Sequence, residues 1–121
     1  MANADMASLI GHLFLARDVV HSVHLNTRSY AKHKALGKFY ENIIGLADDL
    51  AEAYQGRHGL IGPITLHSAK KTNNVVEFLE ASLKEVEEAR KEFGDDSALQ
   101  NIVDGIVDLY LSTLYKLKFL A

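Results

Sequence analysis

The sequence predicts an all-α protein that folds as one antiparallel four-helix bundle. Four stretches repeat apolar residues at intervals of three and four, which is the period of a helix with one buried face. No stretch has the pattern of a β-strand, and capping residues or glycines separate the four stretches. Neither an internal repeat nor a domain boundary is visible, and 121 residues suffice for one hydrophobic core. Residues 1–121 are therefore predicted to form a single domain.

The first two helices have clear apolar rows. The first is predicted from Asp5 to Thr27 and the second from Ser29 to Gln55, with Gly56 as the residue that ends it. The row of the first helix consists of Leu9, Leu13, Ala16, Val20 and Val23. The row of the second consists of Leu36, Phe39, Ile43, Ala47, Leu50 and Tyr54. Each row gives its helix one face for the core.

The segment 57–71 contains glycines and the single proline, Pro63. It is long enough to cross from one end of a bundle to the other, and its apolar residues predict that it packs against the helices. A single long crossover is typical of ferritin-like bundles, whereas simple up-and-down bundles use short loops throughout. The sequence therefore favours a ferritin-like bundle with the crossover between helices 2 and 3.

The third and fourth helices have recognisable caps. The third is predicted to begin near Asn73 or Asn74, because Glu77 follows Asn74 at the spacing of a capping box. Gly94 is expected to end it, and the segment 95–97 to cap a fourth helix that continues to the C-terminus. We expect about 20–26 residues in each helix, or about 30–39 Å.

The fourth helix has two apolar stripes. The first stripe is Leu99, Ile102, Ile106, Leu109, Thr113 and Leu117, and the second is Val103, Val107, Tyr110 and Leu114. Together they are wider than one bundle core needs. We therefore expect the second stripe to form a subunit interface.

The composition excludes several classes of protein. The chain has no cysteine, so it has no disulfide and no thiolate metal site. Its apolar runs are too short to span a membrane. Its net charge of −3 provides no excess of positive charge for binding nucleic acid. The sequence has neither a Gly-x-Ser-x-Gly turn nor a phosphate-binding P-loop. These features favour a cytoplasmic protein with neither a membrane nor DNA as partner.

Candidate metal ligands lie between His21 and Glu52. His21 and His24 are one turn apart near the end of the first helix, and His33 lies just inside the second. Asp48 and Glu52 are also one turn apart, so their carboxylates share a face of the second helix. Imidazole and carboxylate together suit iron, zinc or manganese, and such sites are built between the helices of bundles.

The distance along the second helix limits how these groups can meet. His33 and Asp48 are 15 positions apart, which corresponds to about 22 Å of helix. They cannot bind one ion within one chain. Either the two groups are unrelated, or a twofold axis brings the histidines of one copy against the carboxylates of another.

The same segments resemble a known family. The runs His24-Leu-Asn-Thr-Arg-Ser-Tyr-Ala-Lys-His33, Phe39-Tyr40 and Asp48-Asp-Leu-Ala-Glu52 resemble the ferroxidase segment of the Dps branch of the ferritin superfamily, the starvation-inducible DNA-protecting proteins. The chain looks closer still to small phage-encoded proteins of poorly known function that have the same histidine segment and a Tyr-Gln-Gly end. The resemblance implies that His24 and His33 of one subunit face Asp48 and Glu52 of its neighbour.

The chain departs from the Dps pattern at several positions. Gly37 stands where the family has an aspartate, which removes a ligand and a negative charge, and His21 is a candidate substitute. The family's aromatic residue after the first histidine is Leu25 here. No Lys or Arg precedes Arg17, so the basic tail with which some Dps proteins hold DNA is absent. Only a patch formed by assembly, from Arg57, His58, Lys70 and Lys71, would favour DNA binding.

Two functional interpretations follow. The first is a Dps-like oligomer that binds iron, or zinc or manganese, at a twofold dimer interface and assembles further into a shell. It leaves open whether the protein also oxidises the iron as a ferroxidase. The alternative is a metal-free helical assembly or structural protein of phage origin, which kept the fold but lost the ferroxidase activity. Gly37 favours this alternative.

Overall fold

The computed structural model describes residues 2–69 and 71–121, and the regular structure of these residues is entirely helical. They form α1 (Asn3–Asn26), α2 (Tyr30–His58), α3 (Val75–Ala89), a short 3₁₀ helix (Arg90–Phe93) and α4 (Ser97–Phe119). The predicted class, four α-helices without strands, is confirmed for this part of the chain. Lys70, one residue of the patch considered for DNA, lies outside the described residues. No helix within the described ranges is long and apolar enough to cross a membrane.

The turn between α1 and α2 is short, and Ser29 caps α2 by accepting a hydrogen bond from the Lys32 backbone N–H at 3.2 Å. The prediction that Gly56 ends α2 is wrong, because the helix continues to His58. Gly59 ends it instead, with a φ of +89° that only glycine adopts at low cost. Gly56 needs no such φ and lies within regular helix.

The predicted caps of α3 and α4 are confirmed. The Asn74 side chain accepts a hydrogen bond from the Glu77 backbone N–H at 3.1 Å, and Asp96 accepts one from the Leu99 N–H at 3.3 Å. The predicted length of α3 is wrong, since it has 15 residues. Its chain tightens into the 3₁₀ helix before Gly94.

Both stripes of α4 contribute to the core of this chain, which corrects the prediction that the second stripe forms a subunit interface. Val103, Tyr110 and Leu114 of the second stripe are buried. They find partners within the chain because α4 packs against both α2 and α3. The Tyr110 ring, for example, meets the Phe39 ring of α2 edge-on at 5.0 Å between centroids.

Polar contacts fix which helix ends lie together. Arg57 at the end of α2 binds Asp96 before α4 at 2.9 Å, and this guanidinium holds the pKa of the Asp96 carboxyl below its usual value. Lys118 at the end of α4 binds Glu80 of α3 at 3.1 Å. The end of α2 therefore lies beside the start of α4, and the end of α4 lies beside α3.

The crossover follows α1, and the prediction that its apolar residues pack against the helices holds for Ile61 and Ile64, whereas Leu60 and Leu66 are exposed. The Thr65 backbone N–H donates to the Ala7 carbonyl at 3.4 Å, and Ile61 is buried in the core. Gly11 permits this approach, because a Cβ there would lie 1.7 Å from the Thr65 carbonyl oxygen. No side chain fits at that position, so the sequence of α1 accommodates the crossover.

Candidate functional site

His24 and His33 face each other where α1 ends and α2 begins. Their rings stack with centroids 3.8 Å apart and planes inclined by 18°. The Nδ1 of His24 lies 2.6 Å from the His33 carbonyl oxygen, and the Nδ1 of His33 lies 2.9 Å from the His24 carbonyl oxygen. A carbonyl only accepts hydrogen bonds, so both Nδ1 atoms carry the hydrogen. The two residues thus bind each other reciprocally.

This bonding leaves the Nε2 atoms available. In a neutral ring with hydrogen on Nδ1, Nε2 has a free lone pair, and such bonds to a backbone carbonyl orient metal-binding histidines. Neither Nε2 has a hydrogen-bond partner among the described residues. No buried polar side-chain atom in this part of the chain lacks a partner. Both Nε2 atoms therefore reach solvent, although His24 is only 9% exposed.

Two further rings complete what we term the histidine cluster, which consists of His21, His24, His33 and Tyr40. The His21 and Tyr40 rings stack at 4.0 Å, and the Tyr40 and His24 rings lie 5.0 Å apart at 60°. The structure therefore brings the three sequence-predicted histidines together. The His21 ring remains 6.2 Å from that of His24.

Gly37 provides space for the His24 ring. A Cβ at position 37 would lie 3.0 Å from Cε1 and 3.3 Å from Nδ1 of that ring. In the sequence, Gly37 is notable because the Dps family has an aspartate at this position. In the structure, Gly37 is the residue that lets the His24 ring pack against α2. An aspartate at this position would displace the His24 ring as it stands.

A groove of about 650 Å³ opens beside the cluster, between the start of α2 and the end of α4. It is lined by His24, His33, Ala31, Lys34, Ala35, Gly37, Lys38, Glu41, Lys116 and Leu120. Three of these side chains are lysines and one is a carboxylate. None of these four forms an ion pair among the described residues.

Asp48 and Glu52 lie elsewhere on α2. Both are exposed, and neither has a hydrogen bond or ion pair in the described part of the chain. The described residues contain no group of three or more His, Asp or Glu side chains that could hold a metal ion. Within one chain, the histidines and the carboxylates of the predicted metal site therefore lie at two separate places.

A second polar network lies within the bundle and was not predicted. We term it the histidine relay, and it consists of Glu85, His12, Ser82 and Tyr110. The Glu85 carboxylate lies 3.0 Å from His12 Nδ1, His12 Nε2 lies 2.8 Å from Ser82 Oγ, and Ser82 Oγ lies 2.7 Å from the Tyr110 hydroxyl. With a neutral His12, hydrogen bonds run from Tyr110 through Ser82 and His12 to Glu85. Burial raises the pKa of the Tyr110 phenol well above its usual value, more than the Ser82 hydrogen bond lowers it.

One signal in the sequence pointed to this network. Ser82 occupies a core position of α3, in the apolar row that also contains Val75, Leu79 and Val86. A polar residue in such a row needs a partner inside the protein. The sequence does not indicate which residue that is, and His12 was not among the candidate site residues.

Comparison with known proteins places the chain beside a phage protein. Residues 24–117 match the family described as a family of unknown function, DUF5856. The match begins at His24 and includes His33, Asp48 and Glu52. The chain is 28% identical over 110 residues to the uncharacterized 14.6 kDa protein in the mobD-ri intergenic region of Enterobacteria phage T4. The aligned region covers 90% of this chain and 84% of the phage protein. No solved structure matches the chain.

Proposed function

Since the chain belongs to the DUF5856 family, whose function is unknown, we propose a function from the site: a homo-oligomer that binds a divalent metal between two copies of the chain. His24 and His33 of one copy supply imidazole nitrogens, and Asp48 and Glu52 of a second copy supply oxygens. Iron is the first choice of metal and zinc or manganese the next. The observation that carries the proposal is the reciprocal Nδ1 bonding, which leaves both Nε2 atoms unpaired beside the groove.

The His24 and His33 rings are arranged to bind two metal ions, one for each ring. Their planes are nearly parallel, so one ion cannot lie in both planes, and each ring would serve its own ion. His21, at the edge of the cluster, is a further candidate donor. Bound iron(II) would be the substrate of a ferroxidase reaction with peroxide or oxygen, which is the enzymatic extension of this proposal.

The exposed face of α2 supports a twofold pairing. A stripe of exposed residues follows α2 at intervals of four and three, namely Lys34, Lys38, Glu41, Gly45, Asp48 and Glu52. Its first part is basic and its last part acidic, and these charges have no ion-pair partners in the described residues. Two copies of α2 packed antiparallel would place Lys34 opposite Glu52 and Lys38 opposite Asp48. An isologous interface of this kind forms both sets of contacts twice.

The wider architecture that we propose is the antiparallel, ferritin-like bundle with its long crossover, assembled from such dimers into a larger shell. The contacts of Arg57 with Asp96 and of Lys118 with Glu80, and the course of the crossover along α1, support that arrangement. The resemblance to a phage protein supports a location in the host cytoplasm. DNA and membranes have no part in this function.

A second candidate is a metal-free assembly protein, and two observations favour it. Lys34 and Lys38 could bind the carboxylates of the second copy themselves, which would leave no oxygen ligand for a metal. The stacked His24 ring, which fills the space above Gly37, would then serve to pack α1 against α2. The same α2 interface would form in this case, but without a metal ion.

One set of variants separates the two candidates. Protein purified without chelator is analysed for bound metal, titrated with iron(II) or zinc, and sized by light scattering. The change His33→Asn is expected to weaken metal binding by about tenfold or more, because an imidazole ligand is lost. The double change Asp48→Asn and Glu52→Gln is expected to abolish both metal binding and dimers.

The matched controls are Asp49→Asn, which changes an exposed aspartate outside the stripe, and His58→Asn, which changes an exposed histidine far from the cluster. Both should behave like the wild type. Wild-type dimers that bind no added metal would refute the metal site and leave the assembly candidate. A monomeric wild type would refute both candidates.

A further inference from the structure

The groove beside the histidine cluster is basic, although the protein as a whole has a net charge of −3. Lys34 and Lys38 lie one turn apart on α2, and Lys116 joins them from α4. Like charges one turn apart on a helix repel each other. Only Glu41 opposes them within the groove, and no ion pair involves any of the three lysines in the described residues. An anion between the lysines would relieve this repulsion.

A polar atom of a largely buried side chain also lies at this groove. His24 is 9% exposed, its Nδ1 is bound to the His33 carbonyl, and its Nε2 has no partner among the described residues. A ring nitrogen in this position can accept a hydrogen bond from a hydroxyl of a ligand. The groove therefore has a built polar group at its wall in addition to flexible surface lysines.

The size and shape of the groove limit the ligand. Its volume of about 650 Å³ lies within the range of about 300–1,000 Å³ that is usual for small-molecule sites. Small and apolar residues, Ala31, Ala35, Gly37 and Leu120, line the rest of it. Nucleic acid needs an extended basic surface rather than a short groove between two helices. The groove suits a small ligand with one concentrated negative charge.

We propose that this groove binds the phosphate group of a small molecule, with Lys34, Lys38 and Lys116 as the cationic contacts. His24 Nε2 accepts a hydrogen bond from a hydroxyl of the same molecule, either the P–OH of a protonated phosphate or a sugar hydroxyl. The site goes beyond the proposed function because it requires neither a metal nor a second copy. Where dimers form as proposed, Asp48 and Glu52 of the second copy would compete with the phosphate for the same lysines. Such a ligand would then favour dissociation of the dimer.

The test is calorimetric titration of the full chain, freed of metal and kept in a phosphate-free buffer of low ionic strength. Inorganic pyrophosphate and ATP are the two probes, because a phosphate group can come from an inorganic anion or from a nucleotide. Saturable binding of one molecule per chain is expected. The double change Lys34→Gln and Lys38→Gln should weaken it by about tenfold or more, since charge-assisted hydrogen bonds are lost.

Lys84→Gln is the matched control, because Lys84 is exposed on α3, outside this groove, and has no ion pair in the described residues. It should leave the affinity unchanged. The variant with Asp48→Asn and Glu52→Gln cannot form the proposed interface, yet it should bind the probes at least as tightly as the wild type. Failure of both probes to bind this variant would overturn the groove site, whatever the outcome for metal and assembly. Equal weakening by Lys84→Gln would also overturn it.

Discussion

The histidine cluster and the histidine relay use the same side chain in opposite ways. In the cluster, each of His24 and His33 binds a backbone carbonyl through Nδ1 and leaves Nε2 without a partner in the described residues. In the relay, His12 binds Glu85 through one nitrogen and Ser82 through the other. One site therefore has unused binding capacity next to a groove, whereas the other has none.

The comparison shows that burial alone does not identify a functional histidine. His12 and His24 are both largely enclosed, yet they differ in what remains for a ligand. The relay contains an acid, an imidazole and a hydroxyl in the order found in serine hydrolases. Its hydroxyl is not available to a substrate, because Ser82 is 2% exposed and is bound by Tyr110. The relay is best explained as a polar connection that holds α1, α3 and α4 together.

The largest effect is expected when the centre of the relay is removed. Ser82→Ala leaves His12 Nε2 and the buried Tyr110 hydroxyl without their shared partner. Each buried polar group left unpaired costs about 1–3 kcal/mol. We expect the free energy of unfolding, measured by urea denaturation, to fall by about 2–3 kcal/mol.

Ser112→Ala is the control for this change. Ser112 also lies in a helix, but its hydroxyl donates only to the Leu109 carbonyl of the same helix. We expect a change within about 0.5 kcal/mol. If Ser82→Ala were equally mild, the relay would not connect the helices energetically, and the contrast between the two histidine sites would lose its basis.

The relay also predicts a response to alkaline pH. The pKa of Tyr110 is raised in the folded protein by burial, so the unfolded chain loses this proton first, near pH 10. The stability due to the neutral buried phenol is complete below that pH. Above it the free energy of unfolding should fall by about 1.4 kcal/mol per pH unit until the folded pKa is reached.

Denaturation series from pH 7 to pH 11 would measure this dependence. Tyr110→Phe should have a shallower loss above pH 10, because it lacks the buried phenol. Tyr115→Phe changes a tyrosine that is 55% exposed and should keep the wild-type slope. Identical slopes for all three proteins would mean that Tyr110 ionises freely and that the relay opens readily.

The difference between the two sites also explains why the sequence predicted the histidine cluster but not the histidine relay. The cluster is local, because a turn of three residues joins its two helices, and the positions of His24 and His33 along the chain therefore predicted their proximity. The relay joins His12 to residues that lie 70 and more positions away. Helical periodicity is enough to place Ser82 in the core row of α3, but only the packing of three helices selects its partners.

The helix ends show the same contrast: those fixed by neighbouring residues were predicted, and those fixed by contacts with other elements were not. Asn74 with Glu77 forms a cap that is contained within four residues, and it was predicted correctly. Gly56 was predicted to end α2, whereas Gly59 ends it. That end depends on contacts beyond the helix, such as the Ile61 backbone N–H that donates to the Gln55 side-chain oxygen. The role of Gly37 was invisible for the same reason, since the ring above it belongs to another helix.

The smallest effect separates Gly37 from Gly45, two glycines within α2. Alanine in place of glycine inside a helix gains about 0.5–1 kcal/mol, and Gly45→Ala should realise this gain, because a Cβ there meets nothing within 4 Å. At position 37 the Cβ meets the His24 ring, which cannot move away easily because Nδ1 and the stack hold it. The cost of overpacking should exceed this gain, so that Gly37→Ala lowers the free energy of unfolding, measured by urea denaturation, by about 1 kcal/mol.

Nitrogen-15 spectra of the imidazoles should also change for Gly37→Ala and not for Gly45→Ala. A stabilised Gly37→Ala protein with unchanged spectra would mean that the ring is free to move, and the reciprocal bonding of His24 and His33 would then not fix the Nε2 atoms.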